Sequence, residues 1–151
     1  MSTKQARSAR ATARGLRRDA GNGELMERTE RAVGLKHDRN NCCQAVVRAF
    51  VDVCDLPEET LSAMGAPFGS GMGNMEGTCG ALVGAEMALG LARADGRACH
   101  RDAAELLEGF RRRCGSTICS ELKGRDTGVI LCPCDDCVRN AVLELERMLG
   151  E

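Results

Sequence analysis

Four cysteines fall where a helix is expected to begin: Cys42 in Asn-Asn-Cys-Cys-Gln, Cys79 in Gly-Thr-Cys-Gly-Ala, Cys119 in Gly-Ser-Thr-Ile-Cys and Cys134 in Leu-Cys-Pro-Cys-Asp-Asp-Cys. They belong to a set of ten in a chain of 151 residues. The first turn of a helix leaves backbone N–H groups unpaired and carries roughly half a positive charge. That environment favours the thiolate, the form of cysteine that binds metal and attacks disulfides. The expected chemistry is therefore metal binding or thiol–disulfide exchange, and local spacing does not decide between them. Cys132, Cys134 and Cys137 form Cys-x-Cys-x-x-Cys, a hint of soft metal binding or dithiol chemistry. No second Cys-x-x-Cys stands at zinc-finger spacing, and neither His37 nor His100 completes a Cys/His set. Cys54, Cys99 and Cys114 read as small core hydrophobes.

The elements that must position these sulfurs are helices. From Glu24 a loose apolar stripe runs through Leu25, Met26, Ala32, Val33 and Leu35. Asn40 or Asn41 caps a helix that carries Cys42, Ala45, Val46, Ala49, Phe50 and Val53 on to the next turn signal. Pro57-Glu58-Glu59 opens a short helix ending near Gly65, with proline and acids in its first turn. Glycines 65, 69, 71, 73 and 77 forbid a regular helix between them. Thr78–Arg93 reads as a helix with Gly80, Ala81, Gly84, Ala85 and Ala88 along one side. Another passes through Ala103, Leu106, Leu107 and Phe110. Ser116 stands where the next helix needs an N-cap, and the last runs from about Asp135 to Leu149 on Val138, Val142, Leu145 and Leu149. Only Val129–Leu131 shows a weak alternation of period two. The expected fold is all-α, a compact bundle of five to six helices with a Gly-rich loop. Residues 1–22 are expected to be a basic, disordered tail and 23–151 one helical, cysteine-rich domain.

Charge and composition narrow the function classes. The formal net charge is −1, yet Lys4, Arg7, Arg10, Arg14, Arg17 and Arg18 stand at the start without an acid, leaving 15 basic against 22 acidic residues beyond them. A basic arm can bind nucleic acid or acidic partners; a solvated tail is the simpler reading. Three aromatics, Phe50, Phe68 and Phe110, are too few for a base-stacking platform. No apolar run is long enough to span a membrane or serve as a secretory core. The expectation is a cytoplasmic protein without membrane or nucleic-acid partners. In that compartment clustered cysteines more often signal metal or redox work than structural disulfides.

Taken in order, these segments resemble the C_GCAxxG_C_C family of redox-active proteins. The likeness is carried by Asn41-Cys42-Cys43-Gln44-Ala45-Val46, then Phe68-Gly69-Ser70-Gly71-Met72-Gly73 with Gly77-Thr78-Cys79-Gly80-Ala81 and Gly84, then Gly115-Ser116-Thr117-Ile118-Cys119 with Glu121-Leu122, then Cys134 four residues before Val138-Arg139. It spans roughly residues 24–149. Cys43 stands where the family resembled has a small Ser or Ala, and Cys137 where an aromatic is more usual. The resemblance implies a redox or metal-binding role, and an iron–sulfur cluster is implicated where a related domain precedes the haem region of some cytochromes.

The leading expectation is an iron–sulfur or related metal centre on Cys42, Cys79, Cys119 and Cys134, for electron transfer or redox sensing, since four thiolates from distant segments are the usual ligand set of such a cluster. Gly69, Gly71, Gly73 and Gly80 are expected to bring backbone close to the sulfurs; that Gly80, Gly84 and Ala88 merely let two helices pack closely stays open beside it. A phosphate loop is the weaker reading, because no strand precedes the glycines and no Gly-Lys-Ser/Thr follows. Two alternatives stand. One is a thiol–disulfide oxidoreductase with Cys42 or Cys79 attacking and Cys119 or Cys134 resolving. The other is a zinc or heavy-metal protein using Cys132, Cys134 and Cys137 among its ligands. The partner expected is a redox protein, and a homodimer stays open.

Overall fold

The computed structural model describes residues 22–150. The basic arm lies outside the described residues. The fold is all-α, as the periodicity predicts. In order the helices are α1 (Asn22–His37), α2 (Cys42–Ala49), α3 (Val51–Cys54), α4 (Glu58–Gly65), a 3-10 turn Ala66–Phe68, α5 (Gly69–Met72, a single turn wound left-handed at Ser70 and Gly71), α6 (Gly80–Arg93), α7 (His100–Cys114), α8 (Cys119–Lys123) and α9 (Cys134–Gly150). Among the described residues the one β feature is an isolated antiparallel bridge between Thr78 and Ile118. Val129, Ile130 and Leu131 form no strand; they lie exposed in the loop before α9.

Helix α2 is the inner element. Cys42, Cys43, Ala45, Val46, Val47 and Ala49 are all buried, because α1 packs on one side of it and α6 on another. Asn41 rather than Asn40 is its cap. The Asn41 side chain accepts from the Gln44 N–H at 2.8 Å, and the Gln44 Oε1 accepts from the Asn41 N–H at 3.0 Å. This reciprocal pairing satisfies two donors that a helix start leaves open. Asn40 instead closes the turn before it, donating to the Leu35 and Asp38 carbonyls. The helix expected to run unbroken through Val53 stops at Phe50, whose backbone leaves helical geometry (φ −102°, ψ 20°), and resumes as α3. The Phe50 ring is fully buried, and Arg28 of α1 lies over its face, 4.6 Å from the centroid.

Helix α6 offers α2 a stripe of small residues. A Cβ built on Gly84 would stand 2.6 Å from the Cys43 carbonyl, so here the close-packing reading is correct: the backbones approach to a distance only glycine permits. Helix α9 crosses α1, α6 and α7 and buries Cys137, Val138, Ala141, Val142, Leu145 and Met148 against them. Leu61, Leu82, Leu89, Leu106, Phe110 and Leu122 complete one continuous core with these residues.

Candidate metal centre

Each of the four motif cysteines sits at a helix start, as the sequence predicts. Cys42 is the first residue of α2, Cys79 precedes α6 as its cap residue, Cys119 opens α8 and Cys134 opens α9. Ser116 is not the cap of α8; Ile118 holds that position. The Ser116 hydroxyl turns the chain two residues earlier, accepting from the Ile118 N–H at 3.1 Å and donating to the Glu121 carboxylate. A hydroxyl can make this short turn as readily as a cap, so the residue type alone does not separate the two.

The Thr78–Ile118 bridge ties the segment that carries Cys79 to the segment that carries Cys119. The Cys79 N–H donates to the Thr117 carbonyl at 2.8 Å and the Cys119 N–H to the Gly77 carbonyl at 3.1 Å. Side chains alternate across such a bridge, so Cys79 and Cys119 share the face opposite Thr78 and Ile118. The glycine loop folds onto that face. Gly71, at φ +56°, leaves no room for a side chain: a Cβ there would lie 2.5 Å from the Cys119 Cβ and 3.4 Å from its Sγ. A Cβ on Gly80 would lie 2.5 Å from the Cys42 Sγ and 2.6 Å from the Phe68 carbonyl. Gly71 therefore packs against the Cys119 side chain and Gly80 against the Cys42 sulfur. Gly69 instead abuts the Asn41 side chain, 2.5 Å from where a Cβ would sit, and Gly73, at φ +94°, ends α5 facing open space.

The four thiols bear on one another electrostatically, although no three of their sulfurs lie within 4.8 Å of one another. Cys134 donates its S–H to Cys42, the charges of Cys79 and Cys42 oppose each other, and Cys79 and Cys134 both bear on Cys119. The hydrogen bond from Cys134, with a further one from the Ser70 N–H, holds the Cys42 thiol below its ordinary pKa although the residue is only 8 % exposed. The expectation that every helix start lowers its thiol is not met. The Cys79 thiol is pushed far up by donating to Cys137 and by burial, the Cys134 thiol by donating to Cys42 and by burial, and the Cys119 thiol by burial with Cys79 close by. Desolvation and neighbouring sulfur outweigh the helix dipole.

Two lysines offset this concentration of sulfur. Lys36, at the end of α1, donates to Asp135 Oδ1 at 2.7 Å; that bond and the Cys134 and Cys42 thiols raise its pKa. Lys36 and His37 together hold Asp135 down at about 2, which fixes the first turn of α9 and hence Cys134. Lys123, at the end of α8, donates to Cys137 Sγ and to the Cys132 carbonyl, each at 3.4 Å. Burial works against its charge, yet Cys137, Cys134 and Cys79 raise its pKa on balance. Neither lysine stands in a motif that sequence reading could have singled out.

A second sulfur group adjoins the first. Among the described residues the ligand atoms of Cys114, Cys132 and Cys137 lie within 4.8 Å of one another, and all three residues are buried. Cys137 Sγ donates to the Cys132 carbonyl at 3.5 Å with the Cys79 and Cys114 thiols close by, while the Asn140 amide Nδ2 reaches Cys114 Sγ at 3.4 Å and Cys132 Sγ at 3.9 Å. The Cys132/Cys134/Cys137 grouping suggested by spacing thus splits: Cys134 turns to Cys42, and Cys114 takes its place. Cys114, read from the sequence as a core hydrophobe, is the member missed; the αL turn at Gly115 that ends α7 brings it to α9, and nothing in its own flanks announces that. Cys43, whose S–H meets Met87 Sδ at 3.7 Å, and Cys54 remain apart as buried thiols, each pushed up to about 12 by burial. No disulfide links any of the ten cysteines.

A family model described as "Putative redox-active protein (C_GCAxxG_C_C)" matches residues 40–148. The chain belongs to this family. No curated protein and no solved structure matches it. Every cysteine of the two sulfur groups falls within the C_GCAxxG_C_C match, as do both glycines that touch them. No helix among the described residues is long and apolar enough to cross a membrane.

Proposed function

We propose that the protein carries a redox-active metal–thiolate centre of the iron–sulfur class, held by Cys42, Cys79, Cys119 and Cys134 and serving electron transfer or redox sensing. The observation that carries this reading is the placing of four thiols from four separate segments each at a helix start, near enough to shift one another's proton affinity, the ligand set such clusters use. The fit is supported by the glycine cradle, since a Cβ on Gly71 or Gly80 would intrude on Cys119 or Cys42. Lys36 and Lys123 supply positive charge beside an anionic centre, and the Ser70 N–H points at one sulfur. When bound, the cluster would supply one-electron chemistry; the chain's part is to hold the thiolates, aim donors at them and exclude water. Elemental analysis for iron and acid-labile sulfide, with absorption and electron paramagnetic resonance spectra of the anaerobically purified full chain, tests it. A coloured, iron-containing protein that loses its iron in Cys79→Ser is expected, and a colourless, iron-free wild type overturns the reading.

A second reading rests on the Cys42–Cys134 hydrogen bond. Cys42, with its proton loosened, could attack a substrate disulfide and release one thiolate. Cys134 would then displace the second thiolate from the mixed disulfide, leaving a Cys42–Cys134 bridge to be reduced by an external dithiol.

A further inference from the structure

We infer that Cys114, Cys132 and Cys137 form a second, separate site that takes a single soft divalent cation of the zinc class. Sulfurs within 4.8 Å of one another need close by only about an ångström to ring one ion at a metal–sulfur distance of about 2.3 Å. Three elements contribute: the end of α7, the loop before α9, and the first turn of α9 itself. The charges balance. Three thiolates, one divalent cation and the Lys123 ammonium 3.4 Å from Cys137 Sγ sum to zero, which burial at this depth demands. Binding would release the three S–H protons to solvent as the metal–sulfur bonds form.

Around the trio stand donors of the kind that orient metal-bound sulfur. The Asn140 amide reaches Cys114 and Cys132, and Lys123 reaches Cys137 together with the Cys132 carbonyl. A purely apolar role for Cys114, Cys132 and Cys137 leaves this polar enclosure without purpose. The site adjoins the proposed redox centre where Cys79 neighbours Cys137, and the two share the Lys123 charge, yet their ligand sets have no residue in common, so either set can be removed without removing the other.

Cobalt(II), a spectroscopic substitute for zinc, separates the possibilities when titrated anaerobically into the reduced full chain. With the redox centre disabled by Cys42→Ser, one equivalent is expected to bind with intense thiolate-to-cobalt absorption, and adding Cys114→Ser is expected to abolish it. Failure of the Cys42→Ser protein to bind, or retention of the band after Cys114→Ser, overturns the inference. A folding defect in either variant is bypassed in the wild type. Zinc alone is expected to slow alkylation of Cys114, Cys132 and Cys137 at least tenfold, read peptide by peptide, and equal rates with and without zinc overturn the inference as well.

Discussion

Cys42 receives hydrogen bonds from the Cys134 thiol and the Ser70 N–H, while its buried neighbours Cys43 and Cys54 sit at about 12. A thiol's reactivity follows its thiolate fraction. Cys42 is therefore expected to be alkylated by a small reagent in the metal-free, reduced chain ahead of Cys43 beside it. Cys134→Ala removes the S–H donor and, at a value of about 1.5 kcal/mol for a hydrogen bond to a charged group, is expected to slow Cys42 alkylation at neutral pH roughly tenfold. Peptide-resolved mass spectrometry of timed alkylation measures both. Lys123 is a second test of the redox centre: Lys123→Gln withdraws a positive charge from near Cys134 and Cys79 and is expected to lower the midpoint potential of the proposed redox centre, read by redox titration.

Between elements, the tightest joint is the start of α6 against the start of α2. Gly80→Ala drives a Cβ to 2.5 Å from Cys42 Sγ and 2.6 Å from the Phe68 carbonyl, an overpacking expected to cost about 1–3 kcal/mol and to reduce metal content. Gly34→Ala is the control. Nothing lies within 4 Å of its Cβ position inside α1, so the change is expected to add about 0.5–1 kcal/mol. Denaturant melts of the two variants should move in opposite directions. The sequence was legible at this scale wherever one rule acted alone. Apolar spacing located α6, α7 and α9, and the Pro57-Glu58-Glu59 signal located α4. Two local solutions compete at Asn40 against Asn41, a choice the sequence leaves open, and at Ser116 as cap or as turn, where the cap reading fails; the break at Phe50, whose ring is buried under Arg28, has no signal of its own in the sequence. The four motif cysteines were legible because each stands beside its own helix start. Cys114 was not, because its neighbours in space, Cys132 and Cys137, come from the far end of the chain.

For the molecule as a whole, the buried thiols set a limit on the alkaline side. Cys43 and Cys54 are held protonated to about 12 in the fold, whereas an unfolded thiol titrates near 8.5. Folded pKa values raised in this way add stability that is complete below the unfolded value and lost as pH climbs through the folded one. The metal-free protein is therefore expected to lose several kcal/mol between about pH 9 and about pH 12, measurable as a falling denaturation midpoint. Arg28 acts at the same scale. It donates to the Ala49 carbonyl at 2.7 Å and to Asp52, pairs with Glu146 of α9 and covers Phe50, so one guanidinium joins three parts of the bundle. Lysine cannot reproduce that fork. The segment from Gly69 to Gly77 has a different significance for the whole. Ser70, Met72 and Met75 are all wound left-handed, at φ 52°, 64° and 67°, a conformation costing such residues about 1–3 kcal/mol each. Ser70 is latched to the Cys42 sulfur, and Met75 to the Ser120 N–H at 2.9 Å. Stripped of its sulfur anchor, this coil is expected to spring open, so that a protease nicks the Cys42→Ser chain within it while sparing the wild type.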